Sequence, residues 1–133
     1  TLKWVKAYQP NLGPGIKERF EMADKITEEE YQNAEKIRQS VCNRMDEILG
    51  ENSVFLIPTA PVIAPLISTP ANELETFRQN TMALTCISGL TGVPQITMPV
   101  SEYSGCPIGL SIIGKRRTDK MLLKLASEIT RKL

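Results

Sequence analysis

The sequence predicts an α/β fold of about four helices and three short strands. Three observations carry that reading. A long stretch from 27 to 50 repeats apolar residues every three or four positions, the period of an amphipathic helix. Two short apolar runs, 95–100 and 108–113, flank a loop that holds Gly105, as paired antiparallel strands do. A third run, 54–57, is apolar throughout and is stopped by Pro58, which suits a strand covered on both faces. The chain has 133 residues, enough for one core and too few for two ordinary ones.

Each element has a local cause. Residues 1–13 are mixed, with Trp4 and Tyr8 as the large anchors. A short helix is expected over 14–23, with Pro14 in its first turn. Thr27 and Glu30 form a capping box before the long helix, and Ile26 and Tyr31 are placed as a hydrophobic staple. Glu28, Glu29 and Glu30 complement the positive end of the helix dipole. Tyr31, Ala34, Ile37, Val41, Met45 and Ile48 form the expected inward stripe, and Gly50 is the expected C-terminal cap.

After the 54–57 strand, "PTAPVIAP" forces an extended path with few donors, and its apolar spacers are expected to be buried. A helix is expected from 72 or 73 to 90, with Gly92 beyond its end. Its 100° spacing puts Phe77, Leu84, Ile87 and Ser88 on one side. Arg78, Thr81, Met82, Thr85 and Gly89 fall on a second, mixed face, a candidate pocket wall. The competing reading is that Thr81 and Thr85 bond back to their own helix. In the 108–113 strand, Ile108, Leu110 and Ile112 face one way and Gly109, Ser111 and Ile113 the other. Glycine there signals close backbone approach. Thr118 starts a last helix to about 132, with Met121, Leu122, Leu125, Ala126 and Ile129 inward.

Composition narrows the chemistry. A net charge of +1 and few aromatics give no field or stacking surface for nucleic acid. The longest apolar run is cut by prolines, so no membrane span is expected. Cys42, Cys86 and Cys106 make no CxxC and suit a reducing, cytoplasmic setting. The chain has no histidine, which removes Ser-His-Asp and Cys-His catalysis and the commonest zinc ligand. "GLSIIGK" (109–115) approaches a phosphate loop, but Arg116 stands where Ser or Thr is required, and "LSII" is strand material. No nucleophile elbow or Ser-x-x-Lys arrangement is present, and the carboxylates sit on helix faces. The basic run "GKRRTDK" (114–120) reads as a solvated loop.

Taken in order, "FLIPTAPVIAP", "LTGVPQITMPV", "GCPIGLSIIGK" and "DKMLLKLA" resemble the C-terminal part of the amidase signature family. The first half agrees more loosely, through "ITEEEYQNAEKIRQ". The resemblance implies a mixed β-sheet flanked by helices, with 1–133 as a single partial domain, the final third of that fold. It implies hydrolysis of a small-molecule amide, without metal or organic cofactor, by a serine, a second serine in a cis peptide bond, and a lysine. Those groups belong to a Gly/Ser-rich segment and an upstream lysine that have no match here, so no catalytic residue is expected in this chain. The family's pocket draws on the 72–90 helix, which points to Arg78, Thr81, Met82 and Thr85.

Two departures bear on substrate. Gly89 stands where the family often has Asn. Met82 stands where tRNA-linked amidotransferase relatives place an Asp that binds the substrate's amine, which favours a less polar amide. The alternative is a non-enzymatic binding or receptor module built on the same fold. An isolated final third is also expected to expose sheet edge and apolar surface, and so to self-associate.

Overall fold

The computed structural model describes residues 1–13 and 15–132. In order these form α1 (Leu2–Tyr8), α2 (Ile16–Lys25), α3 (Glu28–Ile48), β1 (Phe55–Pro58), α4 (Ala71–Thr91), β2 (Gln95–Tyr103), β3 (Cys106–Ile113) and α5 (Asp119–Thr130). The α/β expectation holds. The chain divides into two compact units, Thr1–Ile37 and Arg38–Leu133.

The first unit contains a helix, α1, where the sequence showed only mixed residues. Thr1 makes no side-chain cap bond there, so the usual start signal is missing. What supports α1 is the pairing of Trp4 and Tyr8 one turn apart, their rings stacked at 6.0 Å. The expected 14–23 helix is α2, and Pro14 lies outside the described residues. Gly15, at φ 80°, stands before its first turn and donates its N–H to Glu18 Oε2 at 2.7 Å. Lys6 pairs with Asp24, linking α1 to α2. No side chain of α1 or α2 is buried.

The capping box at the start of α3 forms as expected. Thr27 N–H donates to Glu30 Oε2 at 2.8 Å, and Glu30 N–H donates to Thr27 Oγ1 at 3.2 Å. The expected inward stripe does not form in this unit: Tyr31 and Ile37 are 54% and 68% exposed.

In the second unit the sheet order is β1-β3-β2, with β3 antiparallel to both neighbours. Tyr103 pairs with Cys106, so Ser104 and Gly105 form a two-residue turn. Both have positive φ, 52° and 74°, as the mirror-image hairpin turn requires. β2 and β3 each run longer than expected, because this tight turn lets pairing continue to the tip. Register then sorts the core. Ile112 packs with Met98, Leu122 and Ala126, so α5 covers one face. Ile113 packs with Ile57, Met45, Leu49 and Val93, so the end of α3 covers the other.

Several expectations need correction here. The buried residues of α3 are Cys42 and Met45, continued by Leu49 just past its end, while Val41 and Ile48 stay exposed. The stripe is turned because Leu49 enters the sheet cluster and Cys42 lies over the Leu90 carbonyl, Sγ to O 3.8 Å. Gly50 is not in the left-handed region; its N–H is taken by Ser53 Oγ at 2.7 Å, which closes a turn beyond the helix. β1 is not covered on both faces, since only Ile57 is buried and Leu56 is exposed. The proline-rich segment after it leaves Val62, Leu66 and Ile67 exposed, against the expectation that its apolar spacers are buried. Met121 of α5 likewise sits at the rim, while Leu122 and Ala126 are buried.

These contacts make two predictions. The Glu30 carboxyl is held below its ordinary value of 4.5, chiefly by the Thr27 backbone N–H and then by the Thr27 hydroxyl. A lowered carboxylate pKa stabilises above the ordinary value and loses that contribution as pH falls through the folded one. Acid titration by far-UV circular dichroism should therefore show helix lost below pH 4.5 in the native chain, and a shallower loss in Glu30→Gln. At Gly109 an added Cβ would lie 2.9 Å from Thr59 Oγ1 and 3.1 Å from Thr97 Cγ2. Gly109→Val should cost about 1–3 kcal/mol by urea denaturation, against little change for Gly89→Ala, where a Cβ meets nothing.

Candidate functional site

The candidate site is the face of α4 that carries Arg78, Thr81, Met82 and Thr85. The helix runs from Ala71 to Thr91 and is closed by Gly92 in the left-handed region, whose N–H donates to the Ser88 carbonyl at 2.8 Å. Its last carbonyls are held from two directions. Arg38 Nη1 donates to the Leu90 carbonyl at 3.2 Å, and Arg116 Nε to the Thr91 carbonyl at 3.1 Å. Cations at a helix C-terminus are favoured by its dipole. Arg116 also pairs with Asp46 of α3 at 3.6 Å. The C-terminal end of α4 is thus fixed to α3 and to the loop after β3.

The four predicted residues lie within two turns of one another. Arg78 pairs with Glu75 at 3.5 Å and its side chain is exposed. Met82 is exposed. Thr81 and Thr85 are half-buried, and both hydroxyls bond back to their own helix, to the Phe77 carbonyl at 2.8 Å and the Thr81 carbonyl at 2.9 Å. Each hydroxyl proton is therefore spent, leaving oxygen lone pairs that can only accept. This surface offers a thioether, two acceptor hydroxyls and one guanidinium at its edge. Next along the same helix, Ser88 donates to Gln95 Oε1 at 2.8 Å, joining α4 to β2.

Sequence reasoning missed a second polar feature. Ser111 is fully buried, and its hydroxyl bonds to Thr59 at 2.8 Å and to Thr97 at 2.9 Å. Thr59 Oγ1 reaches Thr97 Oγ1 at 3.5 Å, closing a triangle of hydroxyls drawn from all three strands or their ends. Gly109 makes room for it, and Thr59 N–H donates to the Gly109 carbonyl at 3.0 Å. The alternation that placed Gly109 and Ser111 on one face was the available signal. What it lacked was the register that brings Thr59 and Thr97 to the same spot. Beside this triangle lies a pocket of about 510 Å³, lined by Pro58, Pro61, Val62, Ile63, Tyr103 and Ile108 among others.

No Ser–Lys couple emerges among these bonds. The described hydroxyls of Ser88, Ser111 and Ser127 bond to Gln95, to two threonines and to Arg131. Lys115 is engaged with Glu51 at 2.7 Å. That hydrogen bond, with its charge attraction, holds the Glu51 carboxyl below its ordinary value. Among the described residues no helix is long and apolar enough to cross a membrane.

Known proteins resemble this arrangement. A family model described as Amidase matches residues 3–123. The chain is 29% identical over 126 residues to Amidase 1 of Arabidopsis thaliana, covering 95% of this chain and 30% of that protein. It is 32% identical over 140 residues to a component of the glutamyl-tRNA(Gln) amidotransferase of Saccharolobus solfataricus, covering 98% of this chain and 29% of that one. The fold superposes on the solved Kluyveromyces lactis allophanate hydrolase with a TM-score of 0.81 at 24% identity, over 96% of this chain and 21% of that one. The chain therefore spans 30% or less of the length of these relatives.

The hydroxyl triangle makes a stability prediction. Ser111→Ala should cost roughly 1–2 kcal/mol in urea, because it removes the bond that both threonines share. Thr81→Ala should cost less, since its carbonyl partner keeps its helical bond. Equal losses for the two would contradict the shared role of Ser111.

Proposed function

The chain belongs to the amidase signature family, and on that premise we propose that it is the C-terminal portion of a hydrolase that cuts a carboxamide C–N bond. In this reading a serine nucleophile, its partner serine and the lysine base lie outside these 133 residues. One observation carries it: the match runs across almost the whole chain, yet relatives of the family are about three times longer, with this chain covering 30% of Amidase 1.

The chain's part would be to complete the sheet and to supply one wall of the acyl pocket. The Arg78, Thr81, Met82 and Thr85 face is that wall. Met82 presents an unbranched, polarizable side chain that adapts to apolar groups. The back-bonded threonines accept hydrogen bonds but have no proton to give. A neutral amide that can donate N–H suits such a wall better than a free amino acid, whose ammonium would want a carboxylate. That supports an amidase with a less polar substrate over a glutamine-dependent amidotransferase. No cofactor is assigned. A cytoplasmic setting is part of the same proposal, on the spacing of Cys42, Cys86 and Cys106 in the sequence.

Three experiments test the reading. The purified 133-residue chain, offered a panel of primary and aryl amides, should release no ammonia or amine above a buffer blank; turnover would overturn the division of labour. In the uninterrupted reading frame upstream of Thr1, a Gly/Ser-rich serine segment is expected; its absence would point to a non-enzymatic module. In the active parent, Met82→Asp should lower kcat/KM for an apolar amide by about 10- to 200-fold, with Met82→Leu near the native value.

A further inference from the structure

The basic run "GKRRTDK" (114–120) is a tight turn whose first two cations have partners. Lys115 pairs with Glu51 at 2.7 Å, and Arg116 with Asp46 at 3.6 Å. Gly114 N–H donates to the Pro94 carbonyl at 3.1 Å, which joins the turn to the connection between α4 and β2. The Lys115 carbonyl accepts from Thr118 N–H at 3.2 Å and from Thr118 Oγ1 at 2.6 Å. A Cβ at Gly114 would lie 2.7 Å from Thr118 Oγ1 and 3.0 Å from Leu122 Cδ2, so the turn sits directly on α5. Arg117 takes a φ of 69°, a left-handed value that such a side chain holds only where its surroundings impose it. Arg116 is therefore aimed by a turn that is fixed on both sides.

Its guanidinium serves two elements at once. Nε donates to the Thr91 carbonyl at 3.1 Å, and Nη1 faces Asp46 of α3. A planar fork can hold two partners in two fixed directions, which a single ammonium cannot. Thr91 is the one buried residue of α4, and Ile87 is that helix's contribution to the apolar cluster. Packing alone thus gives α4 little to fix its tilt. Met82 lies about 13 Å up the helix axis from Thr91, at 1.5 Å per residue. A pivot at the last turn is carried along the helix to that wall. A shift of about 1 Å in a group that positions substrate can cost about 100-fold in rate.

We propose that Arg116 is a positioning residue for substrate selection. Held on Asp46, it fixes the last turn of α4, and through the helix it sets how closely Met82 approaches the acyl group of a bound amide. The proposal rests on the amidase reading of the α4 wall. Arg116 acts through the helix and touches no substrate itself. All three partners, Asp46, Thr91 and Arg116, lie within these 133 residues. Chain outside them can complete the sheet without taking over this contact. Lys115, one residue away, makes its bridge to Glu51 and none to α4, so it serves as the internal control.

The test uses the full-length parent and two primary amides, hexanamide and acetamide, of which only the longer reaches the wall. Arg116→Ala should lower the ratio of their kcat/KM values, hexanamide over acetamide, at least about tenfold, with acetamide turnover little changed. Arg116→Lys keeps the charge but loses the fork, and should show most of that loss. Asp46→Asn should lower the ratio alone and add nothing to Arg116→Ala. Lys115→Ala should leave it unchanged. Backbone amide exchange should quicken over 81–89 in Arg116→Ala, and not in α5. Equal losses on both amides, or unchanged exchange in α4, would overturn the proposal. So would the same ratio shift from Lys115→Ala. A native parent that hydrolyses no amide would sink the amidase reading instead, and exchange in α4 would then decide by itself whether Arg116 sets the helix.

Discussion

The second unit depends on burying the C-terminal end of one strand, β3, on all four sides. β3 has a neighbour along each edge, α5 over one face and the end of α3 over the other. Ser111, Ile112 and Ile113 are consequently without exposed surface. The two apolar clusters of the unit are placed by what β3 requires. Ile112 sends one cluster to α5, and Ile113 sends another to Met45 and Leu49. Ser111 cannot be buried unpaired, because a hydroxyl without a partner there would cost about 1–3 kcal/mol. It is satisfied by threonines from either side, and that requirement fixes the start of the proline-rich segment at Thr59. A polar residue in the most buried strand thereby ties down a loop that has little apolar anchorage of its own.

A second constraint places α4. This helix contributes Ile87 to the sheet cluster but otherwise buries little, and Thr91 is its one buried residue. Its position is set at its C-terminal end, where Arg38 and Arg116 meet consecutive carbonyls and Ser88 meets Gln95. Polar contacts at one end of a helix leave the opposite turns free of packing duties. Those turns carry Arg78, Thr81 and Met82. A wall that faces a ligand needs this arrangement: held rigidly from behind, uncommitted in front.

Legibility in the sequence followed the range of the forces. Local devices were readable, because their partners lie within a few residues. The Thr27–Glu30 box, Gly92 beyond α4 and Gly105 in the hairpin turn all appear where the residues said they would. Helical phase was less readable. The α3 pattern contains two overlapping stripes, Val41–Met45–Ile48 and Cys42–Met45–Leu49, and tertiary contact chose the second. Exposure of Leu56, Val62 and Leu66 was unreadable for a related reason. Hydrophobicity reports what a residue prefers, and burial depends on whether anything lies within reach to cover it. The family resemblance was legible because it used order along the chain, which single motifs lack.

Threonine shows why the candidate site was harder than the fold. Thr59, Thr81, Thr85 and Thr97 are indistinguishable as letters, yet they do two different things. Thr81 and Thr85 have a helical carbonyl four residues back and give their protons to it. Thr59 lies just beyond β1 and Thr97 within β2, where extended backbone offers no such carbonyl, and they converge on Ser111 instead. Secondary structure therefore decides whether a threonine hydroxyl is spent locally or joins a distant network. The spent hydroxyls remain as acceptors on an otherwise apolar helix face. They can recognise an N–H while asking for no proton in return, which is the chemistry an amide-facing wall would use. The converging hydroxyls satisfy each other and hold the sheet. The register of β1 and β2 on β3 is what brings Thr59 and Thr97 to the same hydroxyl, and that register follows from the burial of the end of β3.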